Sequence, residues 1–274
     1  MDPAALLEAY DSQLREESEV ARAASVVRHP PLLWAVFGEG GMITYRSLAG
    51  AGGHALDELI AASLAHFRDG TDVGSVEWKT RGHDAPDDLG ARLTAHGFLA
   101  QDMETVMVGP AEDLAVEVAI PSDVAIRRVE VGPHLLEDVV RAHVMQSEVF
   151  GSDAGRDPER VADQMAADPD HLQLWVAESG GEVVAAGTLD VVRETEFAGL
   201  WGGAVQEPWR GRGIYRALVA ARARAAMELG VRFLHSDCTA MSRPILERSG
   251  LVAVTTTTPY VWRRPGTTVH EPAV

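Results

Sequence analysis

The chain has 274 residues, a formal net charge of −17 and a single cysteine, Cys238. Its length suits about two domains, and 46% hydrophobic against 24% charged residues is an ordinary globular balance. The acidity argues against nucleic acid or an anionic membrane as partner. One cysteine rules out an internal disulfide framework, and no run of about 18 apolar residues is present to form a transmembrane helix.

From the start, Asp2 and Pro3 make a good cap and first helical residue. Leu6, Ala9, Tyr10, Leu14, Val20, Ala21 and Ala24 then repeat at helical spacing, which predicts a core-facing helix. Residues 32–37 and 42–48 read as a hairpin across Gly38 to Gly41. Gly50-Ala51-Gly52-Gly53 opens a helix over 54–67, followed by a strand at 73–80, a helix at 87–96 ended by Gly97, and a strand at 103–108. Pro110 and Pro121 mark a linker, placed at 111–123, between a first domain at 1–110 and a second at 124–274.

In the second domain a strand at 124–129 precedes helices near 133–150 and 158–167. Residues 172–178 and 182–192 form a hairpin around Gly180-Gly181. A third strand at 196–205 runs into Pro208-Trp209-Arg210-Gly211-Arg212-Gly213, and a helix over 214–229 follows at once. A strand at 231–238, a short helix at 242–249 and extended segments at 251–258 and 260–263 complete the chain. The fold class is α/β with a mixed sheet.

The glycine-rich turn is the most informative stretch. Two glycines let the backbone approach a ligand, and the helix that starts there points free N–H groups and its positive dipole end at the same spot. The combination suits a phosphate or pyrophosphate. Arg210, Arg212, Arg216, Arg222, Arg224 and Arg232 crowd this part of an otherwise acidic chain. Neither common nucleotide fingerprint is present.

The run Arg210-Gly211-Arg212-Gly213-Ile214-Tyr215-Arg216 resembles the acetyl-CoA loop of the GNAT superfamily of N-acyltransferases. Its signature is Arg/Gln-x-x-Gly-x-Gly/Ala at a helix start, and Tyr215 departs from the small final residue. The order of elements in 124–264 is also similar to that family. The first half repeats it as strand, glycine loop, helix, strand, short helix, Gly, strand. It is identified as a truncated, degenerate copy whose loop no longer binds CoA.

The resemblance implies acetyl-CoA as co-substrate and an amine, of unknown identity, as acceptor. It places the cofactor on Ala204 and Val205, on Arg210, Gly211, Arg212, Gly213, Ile214, Tyr215 and Arg216, and on Thr239. The tyrosine that protonates the leaving thiolate in many relatives aligns with Leu246. The glutamate that often acts as base aligns with Trp201. Tyr260 is the substitute acid, and Glu196 and Asp237 are the base candidates, with Glu194 and His235 nearby in sequence. Cys238 reads as a packing residue.

The ten histidines show no metal-ligand spacing, so no metal is expected. The Met-Asp-Pro-Ala start lacks a basic signal region, which makes the cytoplasm the expected compartment. No nucleic acid or membrane partner is expected, and the chain is expected to be a monomer or homodimer. A non-catalytic acyl-CoA-binding module is the alternative, and a mycothiol-synthase-like acetyltransferase a minor variant. The acceptor cleft is expected between the loop around Phe150 to Pro158, the strand 196–202 and the segment 255–262.

Overall fold

A computed structural model describes residues 2–38, 40–151 and 157–266. Helix α1 (Pro3–Leu14) starts at the predicted Asp2-Pro3 pair and buries Leu6, Tyr10 and Leu14, one face at four-residue spacing. It stops earlier than its periodicity predicts. Arg15 is extended, Glu16 has φ 61°, and only a single 3₁₀ turn, Glu16–Val20, follows. The Arg15 guanidinium is held by Asp84 at 2.8 Å, so a tertiary contact ends the helix where local propensity would continue it.

The rest of the first half runs β1 (Ser25–His29), β2 (Leu32–Phe37), β3 (Gly40–Thr44), α2 (Gly53–Gly70), β4 (Ser75–Arg81), α3 (Leu89–Ala95), β5 (Leu99–Ala100), β6 (Glu104–Pro110) and α4 (Ala111–Leu114). Strand β1 was not anticipated from the sequence. The second half runs β7 (Val124–Arg128), α5 (Leu135–Phe150), α6 (Pro158–Ala167), β8 (Leu172–Ser179), β9 (Glu182–Val191), β10 (Phe197–Val205), α7 (Ile214–Glu228), β11 (Phe233–Cys238), α8 (Arg243–Ser249) and β12 (Val252–Arg263). The two extended segments expected on either side of Pro259 are thus one strand.

All the strands join one sheet in the order β1-β2-β3-β4-β12-β6-β11-β10-β9-β8-β7, with β5 also on β12. The first half contributes three antiparallel strands, β1 to β3, and the second four, β7 to β10, and each then adds one parallel pair, β3 with β4 and β10 with β11. The halves then exchange their last strands. β12 lies against β4 of the first half, and β6 lies against β11 of the second. β6 and β12 pair with each other at the centre, Val252 opposite Val108. The order is therefore pseudo-symmetric about that pair, and neither half closes its sheet without the other.

Helices cover both faces. On one, α7, α4 and α8 bury Met107, Leu200, Val219, Leu234 and Leu246. On the other, α1 covers Val106, Val108, Phe197 and Phe233, and α5 covers Leu174, Val176 and Ala186. The segment between the halves is no free tether. Ala111 and Leu114 are buried against α7's cluster, and Ile120 packs with Val205, Ile214 and Leu218.

Candidate functional site

Strands β10 and β11 run parallel but pair only at Phe197–Phe233, Ala198–Leu234 and Gly199–His235. Beyond that point β10 bulges between Trp201 and Ala204 and keeps only β9 as neighbour, while β11 follows β6 to Cys238. A wedge opens between the carboxyl ends of two parallel strands, the place where open α/β sheets bind ligands. Ser236 marks its apex, its Oγ donating to the Leu200 carbonyl at 2.9 Å. Gln146 of α5 fixes the bulge from one face, Nε2 donating to the Gly202 carbonyl at 2.6 Å. Tyr215 of α7 meets it from the other, where a Cβ on Gly203 would lie 2.9 Å from the ring.

The chain leaves β10 through one 3₁₀ turn, Glu207–Trp209, and enters α7 with Gly213 as its cap residue at φ 81°. Gly211 also has positive φ, 74°. The amides of residues 211 to 216 have no acceptor among the described residues. They form an array of donors at the positive end of a helix, next to the wedge. Gly213 is required twice over, because a Cβ there would also lie 2.7 Å from the Ala119 carbonyl oxygen of the connecting segment. Arg210 Nε donates to the Val205 carbonyl at 3.1 Å, and the Arg212 guanidinium lies 5.0 Å from the Trp209 ring centre. Arg216 is exposed on the first turn.

The arginine cluster is smaller than the sequence implies. Arg222 is fully buried under β9, donating to the carbonyls of Leu218 and Thr188 at 3.2 and 3.0 Å, and burial lowers its pKa to about 10. Arg224 donates to the Val116 carbonyl at 3.1 Å, and Arg232 is paired with Glu196. The three share the helix or the strand behind it, but they do not reach the loop's ligand side.

The opposite face of the wedge carries charge from both halves. Lys79 on β4, the chain's single lysine, reaches across two strands to Asp237 on β11, Nζ to Oδ2 at 3.2 Å. Glu19 accepts from Arg81 at 2.6 Å and lies 3.7 Å from Lys79, and Arg81 Nε donates to Tyr10 Oη at 2.9 Å. Burial works against charge on Asp237, but Lys79 and Arg81 outweigh it and hold its pKa below the usual carboxylate value. Burial raises Tyr10 to about 12 and lowers His235 to about 4, so His235 is neutral at pH 7. The edge of the His235 ring stands against Trp201, centres 5.1 Å apart. His235 Nδ1 and Asp237 Oδ1 are buried with no hydrogen-bond partner among the described residues.

The Acetyltransferase (GNAT) family profile matches residues 139–245, a span that contains the bulge, the amide array and Asp237. That segment is a GNAT domain. No curated protein matches the chain. Among solved structures, a GCN5-related N-acetyltransferase from Kribbella flavida is 16% identical with a TM-score of 0.66, covering 97% of this chain and 95% of its own. One from Sphaerobacter thermophilus is 20% identical, TM-score 0.63, with 87% and 79% covered. A tandem GNAT protein from the clavulanic acid biosynthesis pathway is 12% identical, TM-score 0.57, with 88% and 83% covered. The likeness in fold to such proteins therefore extends over both halves of the chain.

Of the residues expected from sequence, Ala204, Val205, Arg210, Gly211, Arg212, Gly213, Ile214, Tyr215 and Arg216 gather along the bulge and helix start. Thr239 follows β11 at the wedge's far side and starts the turn into α8, its carbonyl accepting from the amides of Ser242 and Arg243. Asp237 faces the wedge. Glu196 does not: it precedes β10, at the closed end of the strand pair, where hydrogen bonds from Arg232 and Gln13 lower its pKa. Tyr260 is displaced as well. It lies opposite Trp78 in register and packs in the first half's core, where a Cβ on Gly90 of α3 would lie 2.2 Å from its hydroxyl. The strand exchange carries Tyr260 there, away from the domain whose sequence contains it. Leu246 is buried in the core, and burial raises Cys238 to about 11, which leaves it a thiol suited to packing. Residues 152–156 of the expected cleft wall lie outside the described residues.

Sequence reasoning missed Lys79, Glu19, Tyr10 and Gln146, all of which converge on the wedge from elsewhere in the chain. The only local signal was that Lys79 is the one lysine among the chain's 24 basic residues. The first half's own wedge is crossed by an ion-paired cluster, which also lines a cavity of about 430 Å³ beside the glycine loop Gly50 to Gly52. β3 and β4 pair as far as Ile43–Trp78, and beyond them Asp84 accepts from Tyr45 Oη and the Arg81 amide, each at 2.7 Å, and from Arg15 at 2.8 Å.

Proposed function

We propose that the protein is an acyl-CoA-dependent N-acyltransferase, with acetyl-CoA the simplest donor and a small primary amine the acceptor. The observation that carries this reading is the free amide array at the start of α7 beside the bulged, opened end of β10 in a GNAT domain. The array and Arg212 would take the pyrophosphate, and the backbone of the bulge would take the pantetheine arm. One bulge amide then polarises the thioester carbonyl, a contribution worth roughly 2.7–4 kcal/mol for such a donor. Holding amine and thioester together supplies much of the remainder. The amine attacks the carbonyl carbon, the C–S bond breaks, and the thiolate leaves and is protonated. A thiol with a pKa of about 8.5 leaves without needing a tyrosine acid, which accommodates Leu246.

Arg15 and Arg46, the arginines lining the cavity beside the first half's glycine loop, are already paired with Asp84 and Glu16, so one CoA per chain is expected. The test is calorimetry with acetyl-CoA followed by thiol release over a panel of amines. A stoichiometry near one per chain with turnover supports the reading. Tight binding with no turnover on any amine would leave an acyl-CoA-binding module, a reading motivated by Trp201 and Leu246. Loss of the Arg210 and Arg212 side chains together should weaken acetyl-CoA binding about tenfold or more, since the charge-assisted phosphate contact of Arg212 alone is worth about 1.5–3 kcal/mol.

A further inference from the structure

The face of the wedge opposite α7 has more carboxylates than cations. By register, Glu77 and Lys79 of β4, Glu104 of β6, Asp237 of β11 and Asp190 of β9 all point to the side covered by α1. Arg22 pairs with Asp190 at 2.7 Å, Arg81 with Glu19 at 2.6 Å and Lys79 with Asp237 at 3.2 Å. Glu19 also lies 3.7 Å from Lys79, so all three cations are engaged by Asp190, Glu19 and Asp237. Glu77 and Glu104 remain, and neither has an ion-pair or hydrogen-bond partner among the described residues.

Strand direction places both at the open end of the wedge. β11 runs toward it, and β4 and β6 run away from it. Glu104, next to the Thr105 that pairs with Cys238, stands one residue beyond the end of β11, and Glu77 stands beyond Lys79 in the same direction. Both are half-buried. Two half-buried carboxylates without partners are costly to keep, and here they face a site where an amine has to arrive.

We propose that Glu77 and Glu104, both from the first half, form the acceptor pocket, and that the acceptor is a small diamine or other amine with a second cationic group. This rests on the acyltransferase reading. Glu77 holds the group that does not react. Glu104 stands nearer the bulge and takes a proton from the nitrogen that does. The incoming ammonium sheds one proton to solvent through Glu104. As the C–N bond forms and the C–S bond breaks, its second proton ends on the thiolate. Burial, then the negative charge of Asp237, raises the pKa of Glu104, with Lys79 opposing and Glu77 and Asp102 adding to the rise. Burial likewise raises Glu77. Both directions are those of carboxylates whose charge no fixed partner compensates, in contrast to Asp237 and Glu19.

The experiment compares putrescine with n-butylamine, which has the same carbon chain and one amino group. In the presence of CoA, calorimetry should show putrescine binding about tenfold tighter or more. Glu77→Gln should erase that preference, leave acetyl-CoA affinity unchanged and raise Tm, because it removes an unpartnered buried charge. In turnover, Glu77→Gln raises KM for putrescine with kcat kept. Glu104→Gln lowers kcat and removes the acid limb of the pH profile. Equal binding of the two amines, or a fall in Tm on Glu77→Gln as for a carboxylate with a structural partner, overturns the proposal. The binding arm does not depend on turnover. A putrescine preference lost in Glu77→Gln, with no thiol release from any amine, would uphold the pocket and refute the enzyme.

Discussion

Replacing Gly213 and Gly211 one at a time by alanine separates two reasons for a glycine in one loop. Both residues have positive φ, 81° and 74°, so each alanine carries the left-handed backbone penalty of about 1–2 kcal/mol. They differ in their surroundings. A Cβ on Gly211 meets nothing within 4 Å, whereas one on Gly213 lies 2.7 Å from Ala119 O and 3.5 Å from a Val118 methyl. The connecting segment cannot simply retreat, because Arg224 holds the Val116 carbonyl at 3.1 Å and Ile120 is packed against Ile214 and Leu218. Relieving such overpacking costs about 1–3 kcal/mol more. Gly211→Ala should therefore lose about 1–2 kcal/mol and Gly213→Ala about 2–5 kcal/mol, measured by urea unfolding of the ligand-free protein at pH 7. For a chain of this size each kcal/mol is about 2–4 °C in Tm, so calorimetry should separate the two variants clearly. Equal losses would refute the claim that the connecting segment rests on the loop, and with it the packing that ties the halves together on this side.

Three further outcomes follow from buried charge. Lys79→Met strands Asp237, whose second oxygen already lacks a partner, and should cost about 3–5 kcal/mol by chemical unfolding at pH 7. Arg222→Met removes a buried cation that has only carbonyl partners, so the variant should be at least as stable as the parent; a loss above about 3 kcal/mol would show that the bond to Thr188 O carries the site. His235 has a folded pKa of about 4 against an ordinary value of 6.5, so the unfolded chain binds the extra proton between them. Its contribution is fully present above pH 6.5 and is lost as pH falls toward 4, with a slope approaching about 1.4 kcal/mol per pH unit. His235→Gln should flatten the unfolding free energy over that window, and an unchanged slope would mean that other groups set it.

The amide array at the start of α7 was legible because it is local. The strand, the glycine turn and the helix start are contiguous, and backbone amides need no partner from elsewhere. The charged face opposite it was not. Glu19, Glu77, Lys79 and Glu104 are scattered over the first half, and each, alone, reads as a surface charge on a strand or turn. Only the register of β4, β12, β6 and β11 aligns them with Asp237. Strand exchange is also why Tyr260 misled. Its position in the chain assigns it to the second half, but hydrogen bonding assigns β12 partly to the first. The same exchange gives the first half a part in the sheet around the second half's wedge. It supplies β6 to complete the sheet beside β11, and β4 to complete it beside β12. A fragment of residues 124–266 would leave β11 with a bare edge and β12 without either neighbour, the kind of exposed strand edge that aggregates. The first half is therefore tied to the wedge through its strands and the Lys79–Asp237 pair, independently of whether it binds a nucleotide of its own.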